Sequence, residues 1–89
     1  MTIEISVGGY GFSHNWTLNA FGKQFFLGQD VKFCRRVLGM DTSHVVSQIG
    51  TNDLRTEEAR TALAEFIVDQ LELDEDRVNG LETWDLCAQ

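Results

Sequence analysis

The sequence predicts an α+β fold: a small antiparallel sheet, built from a three-stranded N-terminal meander, packed against two or three helices. Three observations predict it. Residues 2–7 and 12–18 alternate apolar with polar side chains, the period of a half-buried strand. After Asp30 the apolar period becomes helical, and residues 56–71 carry a broad apolar stripe. The 89-residue length, with no proline, bounds the chain to one domain over residues 1–89 with a single core between two layers. A 43% apolar fraction with 10% aromatics supplies that core, since disordered chains of high net charge are poor in both.

In the first strand Ile3, Ile5 and Val7 share one side and Thr2, Glu4 and Ser6 the other. Gly8, Gly9, Tyr10 and Gly11 follow and predict a tight hairpin turn, because glycine reaches positive φ without steric penalty. In the second strand Phe12, His14, Trp16 and Leu18 form an aromatic face opposite Ser13, Asn15, Thr17 and Asn19. A turn around Gly22 leads to a short third strand over residues 24–27, closed by Gly28.

From Asp30, the spacing of Val31, Cys34, Val37 and Leu38 predicts a helix started by Gln29 or Asp30 and stopped at Gly39. Asp41, Thr42 and Ser43 offer three caps for a second helix through Val45, Val46 and Ile49 to Gly50, although the valine pair also admits a strand. The longest helix is expected over residues 56–71, capped by Thr56, with Glu57 and Glu58 against the positive end of its dipole and a stripe of Ala59, Ala62, Leu63, Phe66, Ile67 and Leu71. Residues 74–80 read as a polar turn or one helical turn. Trp84 and Leu86 alternate briefly and predict a fourth strand over residues 81–87, paired with the meander.

Charge is segregated along the chain. Residues 1–50 carry Lys23, Lys32, Arg35 and Arg36 against Glu4, Asp30 and Asp41, a balance of +1, whereas residues 51–89 set eleven carboxylates against Arg55, Arg60 and Arg77, a balance of −8. The total of −7 repels phosphate backbones and anionic lipid, and so disfavours direct nucleic-acid binding and membrane anchoring. It favours a basic protein partner, because complementary potential speeds encounter and fixes register. No export signal or membrane-spanning run is visible, and two cysteines are too few for a disulfide framework, so a cytoplasmic, reduced setting is expected.

Candidate chemistry is sparse. The Gly8-to-Gly11 run has no following helix and no lysine, so it fits a turn rather than a phosphate loop. His14, Cys34, His44 and Cys87 are zinc-ligand types, but each lies far from the next, whereas structural zinc sites present ligands in close pairs. Cys34 beside Arg35 and Arg36, with His44 downstream, has the makings of an activated thiol; its place on the apolar stripe argues for simple burial. The Asp74-to-Gly80 run fails the calcium-loop register, because Leu86 stands where a bidentate glutamate belongs. The expectation is no enzyme, no metal and no cofactor.

The acidic surface remains. Glu58, Glu65, Asp69, Glu72 and Asp76 recur at intervals that return to one helix face, provided helical geometry reaches the last of them. Such a row either keeps the protein soluble or opposes the Lys and Arg of a nucleic-acid-binding partner. The expected partner-binding residues are Glu65, Asp69, Glu72, Asp74, Glu75 and Asp76, with Tyr10 at the hairpin tip, or Ala64 and Val68 beside the acids, as apolar anchors.

In size, charge and fold type the whole chain resembles the small, often acidic, phage-encoded anti-CRISPR proteins. The resemblance implies a stoichiometric inhibitor in a host cytoplasm that occupies the basic nucleic-acid channel or an assembly surface of a CRISPR effector complex. The residues themselves also accommodate a small structural homodimer joined through the aromatic strand face of residues 12–18, and an acidic immunity protein or antitoxin that neutralises a basic enzyme. Monomer and homodimer both stay open.

Overall fold

In the computed structural model, residues 3–8, 15–50 and 55–82 are described. Three strands, β1 (Glu4–Gly8), β2 (Asn15–Ala20) and β3 (Lys23–Gly28), form an antiparallel sheet in the order β1-β2-β3. Helix α1 (Asp30–Phe33) runs into a π turn (Cys34–Leu38), followed by α2 (Thr42–Ile49), α3 (Glu57–Gln70) and α4 (Glu75–Asn79). This is the expected α+β architecture. The glycine turn at residues 9–11, Phe12, His14 and most of the expected fourth strand lie outside the described residues; Leu81 and Glu82, its first two positions, are not strand.

The sheet follows from its alternation. Ile5, Leu18 and Phe25 stand side by side across the three strands, and with Trp16, Ala20 and Leu27 they turn one face inward, each at most 7% exposed. The other face carries Glu4, Ser6, Thr17, Asn19, Gln24 and Phe26, where the Asn19 amide donates to Ser6 Oγ at 3.0 Å. Strands β2 and β3 are joined by Phe21 and Gly22, both at positive φ (54° and 74°), the two-residue turn whose twist matches that of a hairpin. A left-handed Phe21 costs about 1 kcal/mol, offset because its ring packs on the core. Trp16 pairs with Gly28 and Thr17 with Phe26, so Leu27 is the extra residue of a β-bulge.

The helices cover the inner face. Helix α3 packs along β1, α1 against β3, and α2 against α3. Their caps follow the sequence: Asp41 accepts from the His44 amide at 3.0 Å, and Thr56 Oγ1 from the Ala59 amide at 3.2 Å. Gly39 and Gly50 terminate their segments at φ 70° and 79°. Of the three caps available before α2, Asp41 is the one used, while the Thr42 hydroxyl is buried without a hydrogen-bond partner among the described residues. The valine pair in α2 adopts helix rather than strand, with Val45 in the core.

Two apolar stripes differ from expectation. After Asp30 the buried residues are Phe33 and Cys34, while Val31 is 41% exposed. Helix α1 buries Phe33 rather than Val31, and beyond it the Gly39 amide reaches the Cys34 carbonyl in the π turn, so the frame gains a residue and Val37 and Leu38 are only half-buried. On α3 the inward face is Ala59, Leu63, Ala64 and Ile67, with Ala62, Phe66 and Val68 at its margins. Ala64 is fully buried and so cannot anchor a partner. Full burial of Leu63 or Ile67 contributes about 1.5–3 kcal/mol each. Among the described residues no polar or charged residue is buried as a whole, the Thr42 hydroxyl being a buried polar atom on a half-buried residue.

Candidate functional site: the acidic surface of α3 and α4

Two helices and the turn between them present the acids. Glu65 and Asp69 stand on the outward face of α3, and Glu75 and Asp76 occupy the first turn of α4. Glu72 and Asp74 lie on the connection, and all six expected carboxylates are exposed. Residues 61–76 include these six acids and neither Lys nor Arg.

One helix does not carry them all. Helix α3 stops at Gln70, because Glu72 takes a left-handed φ of 52° and Leu73 is drawn into the core at 7% exposure. The Leu73 amide donates to the Val68 carbonyl at 2.9 Å and the Glu72 amide to the Asp69 carbonyl at 3.1 Å, the paired bonds of a Schellman stop. The expected single row through Glu72 and Asp76 therefore breaks after Asp69, and the acids form a surface over two helices. An apolar residue three positions beyond the last helical residue, able to fall back onto the core, was the available sequence signal.

The six carboxylates are not equivalent. Asp74 Oδ1 accepts from the Arg77 amide at 2.7 Å and caps α4, a structural duty the others lack. Lys23 holds the other end of α4: its ammonium donates to the Val78 carbonyl at 3.1 Å, placing a cation at the negative end of the helix. Val78 is fully buried. The Arg60 guanidinium turns to backbone, donating to the Arg55 carbonyl at 2.8 Å. Tyr10, the expected apolar anchor, lies outside the described residues.

Cys34 does not have the makings of a thiolate nucleophile. It is 3% exposed, and burial, with the negative charges of Asp30 and Asp41 adding to it, pushes its thiol up to about 11. An activated cysteine needs the opposite shift. Arg35 and Arg36 project to solvent on the outside of the π turn, as does His44 on α2. His14 and Cys87 lie outside the described residues, among which no group of three or more His, Cys, Asp or Glu is placed to hold a metal ion. Trp16 and Leu18, the described part of the aromatic face considered for dimerisation, are spent on the chain's own core.

The fold and this surface define a small α+β protein with a segregated acidic helical face. Compared with known proteins, the chain matches no family model, no curated protein and no solved structure. Among the described residues no helix is long and apolar enough to cross a membrane.

Sequence reasoning missed one feature beside α3. A groove of about 320 Å³ runs between β1 and the start of the helix, lined by residues 4–7 and by Glu57, Arg60 and Thr61. Its signal was the position of the alternating first strand, since a strand at the start of a meander lies at a sheet edge.

Proposed function

We propose that the chain is a stoichiometric binding protein whose α3–α4 acidic surface engages a basic, nucleic-acid-binding protein and competes with the phosphate backbone for its Lys and Arg side chains. Inhibition of a CRISPR effector complex, as in the anti-CRISPR proteins the sequence resembles, is the specific form of this activity. The observation that supports the reading is the exposure of all six carboxylates within residues 65–76, a stretch without a cation. A surface of that sign, spread over two helices and the turn between them, suits clusters of cations that otherwise hold phosphates.

The test replaces Glu65, Asp69 and Glu75 by lysine and keeps Asp74, whose cap α4 needs. Exposed substitutions of this kind shift stability by only about 0.5 kcal/mol each, so the circular dichroism spectrum and melting curve should be retained. The wild-type chain should capture a nucleic-acid-binding protein at low salt and release it at high salt, as screening weakens exposed ionic contacts. The triple variant should capture none. Equal capture by wild type and variant removes the proposal.

A further inference from the structure

The two edges of the sheet are built differently. Strand β3 opens with Lys23, contains the bulge at Leu27 and leads straight into α1, which packs against it. Charges, bulges and covering elements are how natural edges avoid pairing with foreign strands. Strand β1 has neither a bulge nor a lysine on its free side. Its register with β2 is unbroken over all five pairs, it carries no lysine, and among the described residues nothing pairs with its outer edge. Five residues of strand offer about 17 Å of unpaired backbone. Val7, on this strand, is 36% exposed.

Helix α3 turns that edge into a groove. Residues 4–7 form one wall and Glu57, Arg60 and Thr61 the other. A second depression of about 620 Å³ on the first turn of α3 shares Glu57 and Thr61 with the groove and adds Thr56 and Glu58. The linings of the two depressions together hold three carboxylates, Glu4, Glu57 and Glu58, and one guanidinium, that of Arg60, which donates to the Arg55 carbonyl.

We infer that the β1–α3 groove binds an extended basic segment of a protein partner, which adds to β1 as a further strand and directs its Lys or Arg side chains to Glu4, Glu57 and Glu58. Main-chain pairing with an edge supplies affinity and the flanking side chains supply selectivity, the general logic of strand addition. A second copy of this chain is a poor occupant, because it brings −7 to a surface already negative. The inference rests on the proposed function for the basic character of the partner, and it places docking on residues separate from the 65–76 acids.

The experiment titrates the full ¹⁵N-labelled chain with a blocked peptide of about eight residues alternating lysine and valine, with NMR shifts, amide exchange and affinity as readouts. Slowed exchange of the residue 4–8 amides is expected. The same peptide N-methylated at its central amides, unable to donate to a strand, should bind at least roughly ten-fold more weakly. The Glu4→Lys/Glu57→Lys variant should lose a similar factor, and the Glu65→Lys/Asp69→Lys/Glu75→Lys variant should retain peptide affinity. The methylated peptide needs no altered protein, so a variant that fails to fold does not blunt the test. Equal binding of the methylated peptide, shifts confined to residues 65–76, or no binding overturns the inference, as does protection of the β1 amides by self-association before peptide is added. If the acids at 65–76 prove essential for partner capture while methylation has no effect, the proposed function survives and the groove assignment falls. If β1 is protected while the triple reversal leaves capture unchanged, the reverse holds.

Discussion

Residues 1–50 balance at +1 and residues 51–89 at −8, yet the two parts share one core. The first supplies Trp16, Leu18, Phe25, Leu27 and Phe33, and the second supplies Leu63, Ala64, Ile67, Leu73 and Val78 to the same buried cluster. Charge is partitioned along the sequence while apolar packing is not. The difference teaches that, Asp74 with its capping bond apart, stability and surface potential are carried by separate sets of side chains, so each can be altered without the other.

The strongest attempt to break that comparison truncates one core residue from each part. Phe25→Ala should cost about 3–5 kcal/mol and Ile67→Ala about 2–5 kcal/mol, both side chains being fully buried. Urea unfolding followed by tryptophan fluorescence and by far-ultraviolet circular dichroism should give one coincident transition in each case. Separate transitions for sheet and helices would mean that the two parts do not share a core.

A smaller effect sharpens the contrast within the acidic surface. Asp74→Ala should destabilise by about 1 kcal/mol through loss of the α4 cap, whereas Glu75→Ala, which removes an acid without a capping bond, should stay within about 0.5 kcal/mol. Equal losses would show that charge rather than the Asp74–Arg77 bond holds α4 in place.

The smallest effect is confined to alkaline solution. The folded Cys34 thiol is raised from 9.0 to about 11, so the folded state holds its proton more tightly than the unfolded chain does. The resulting stability is fully present below pH 9 and is lost as pH rises towards 11. Cys34→Ala should lower stability at neutral pH but flatten this alkaline decline relative to wild type, measured by urea midpoints across the range. An unchanged decline would assign it to other groups.

Much of this fold was legible in the sequence because local chemistry and global packing agree. Thr56 and Asp41 announced their helices, Gly39 and Gly50 ended theirs, and the alternation around Ile5 and Leu18 placed the inner sheet face. What escaped was set by geometry beyond one period. Helix α1 buries Phe33 and leaves Val31 outside, although Val31 fitted the helical spacing better, and the π turn then shifts the frame for Val37 and Leu38. On α3, Ala62 and Ala64 flank Leu63 alike in composition, and only the packing against β1 and α2 decides which is fully buried. The acids were identified correctly as exposed, but their continuity as a single row required a helix that Glu72 and Leu73 end.

The separation between the meander and its cover has a consequence for synthesis. The three strands are complete once residue 28 has been made, but their apolar face waits for α3 and for Val78. At usual ribosomal speeds of about 5–20 residues per second, that wait lasts roughly 3 to 10 s. During that interval Trp16, Phe25 and Leu27 form a sticky apolar surface on a nascent chain, and chaperone demand should peak there rather than at release.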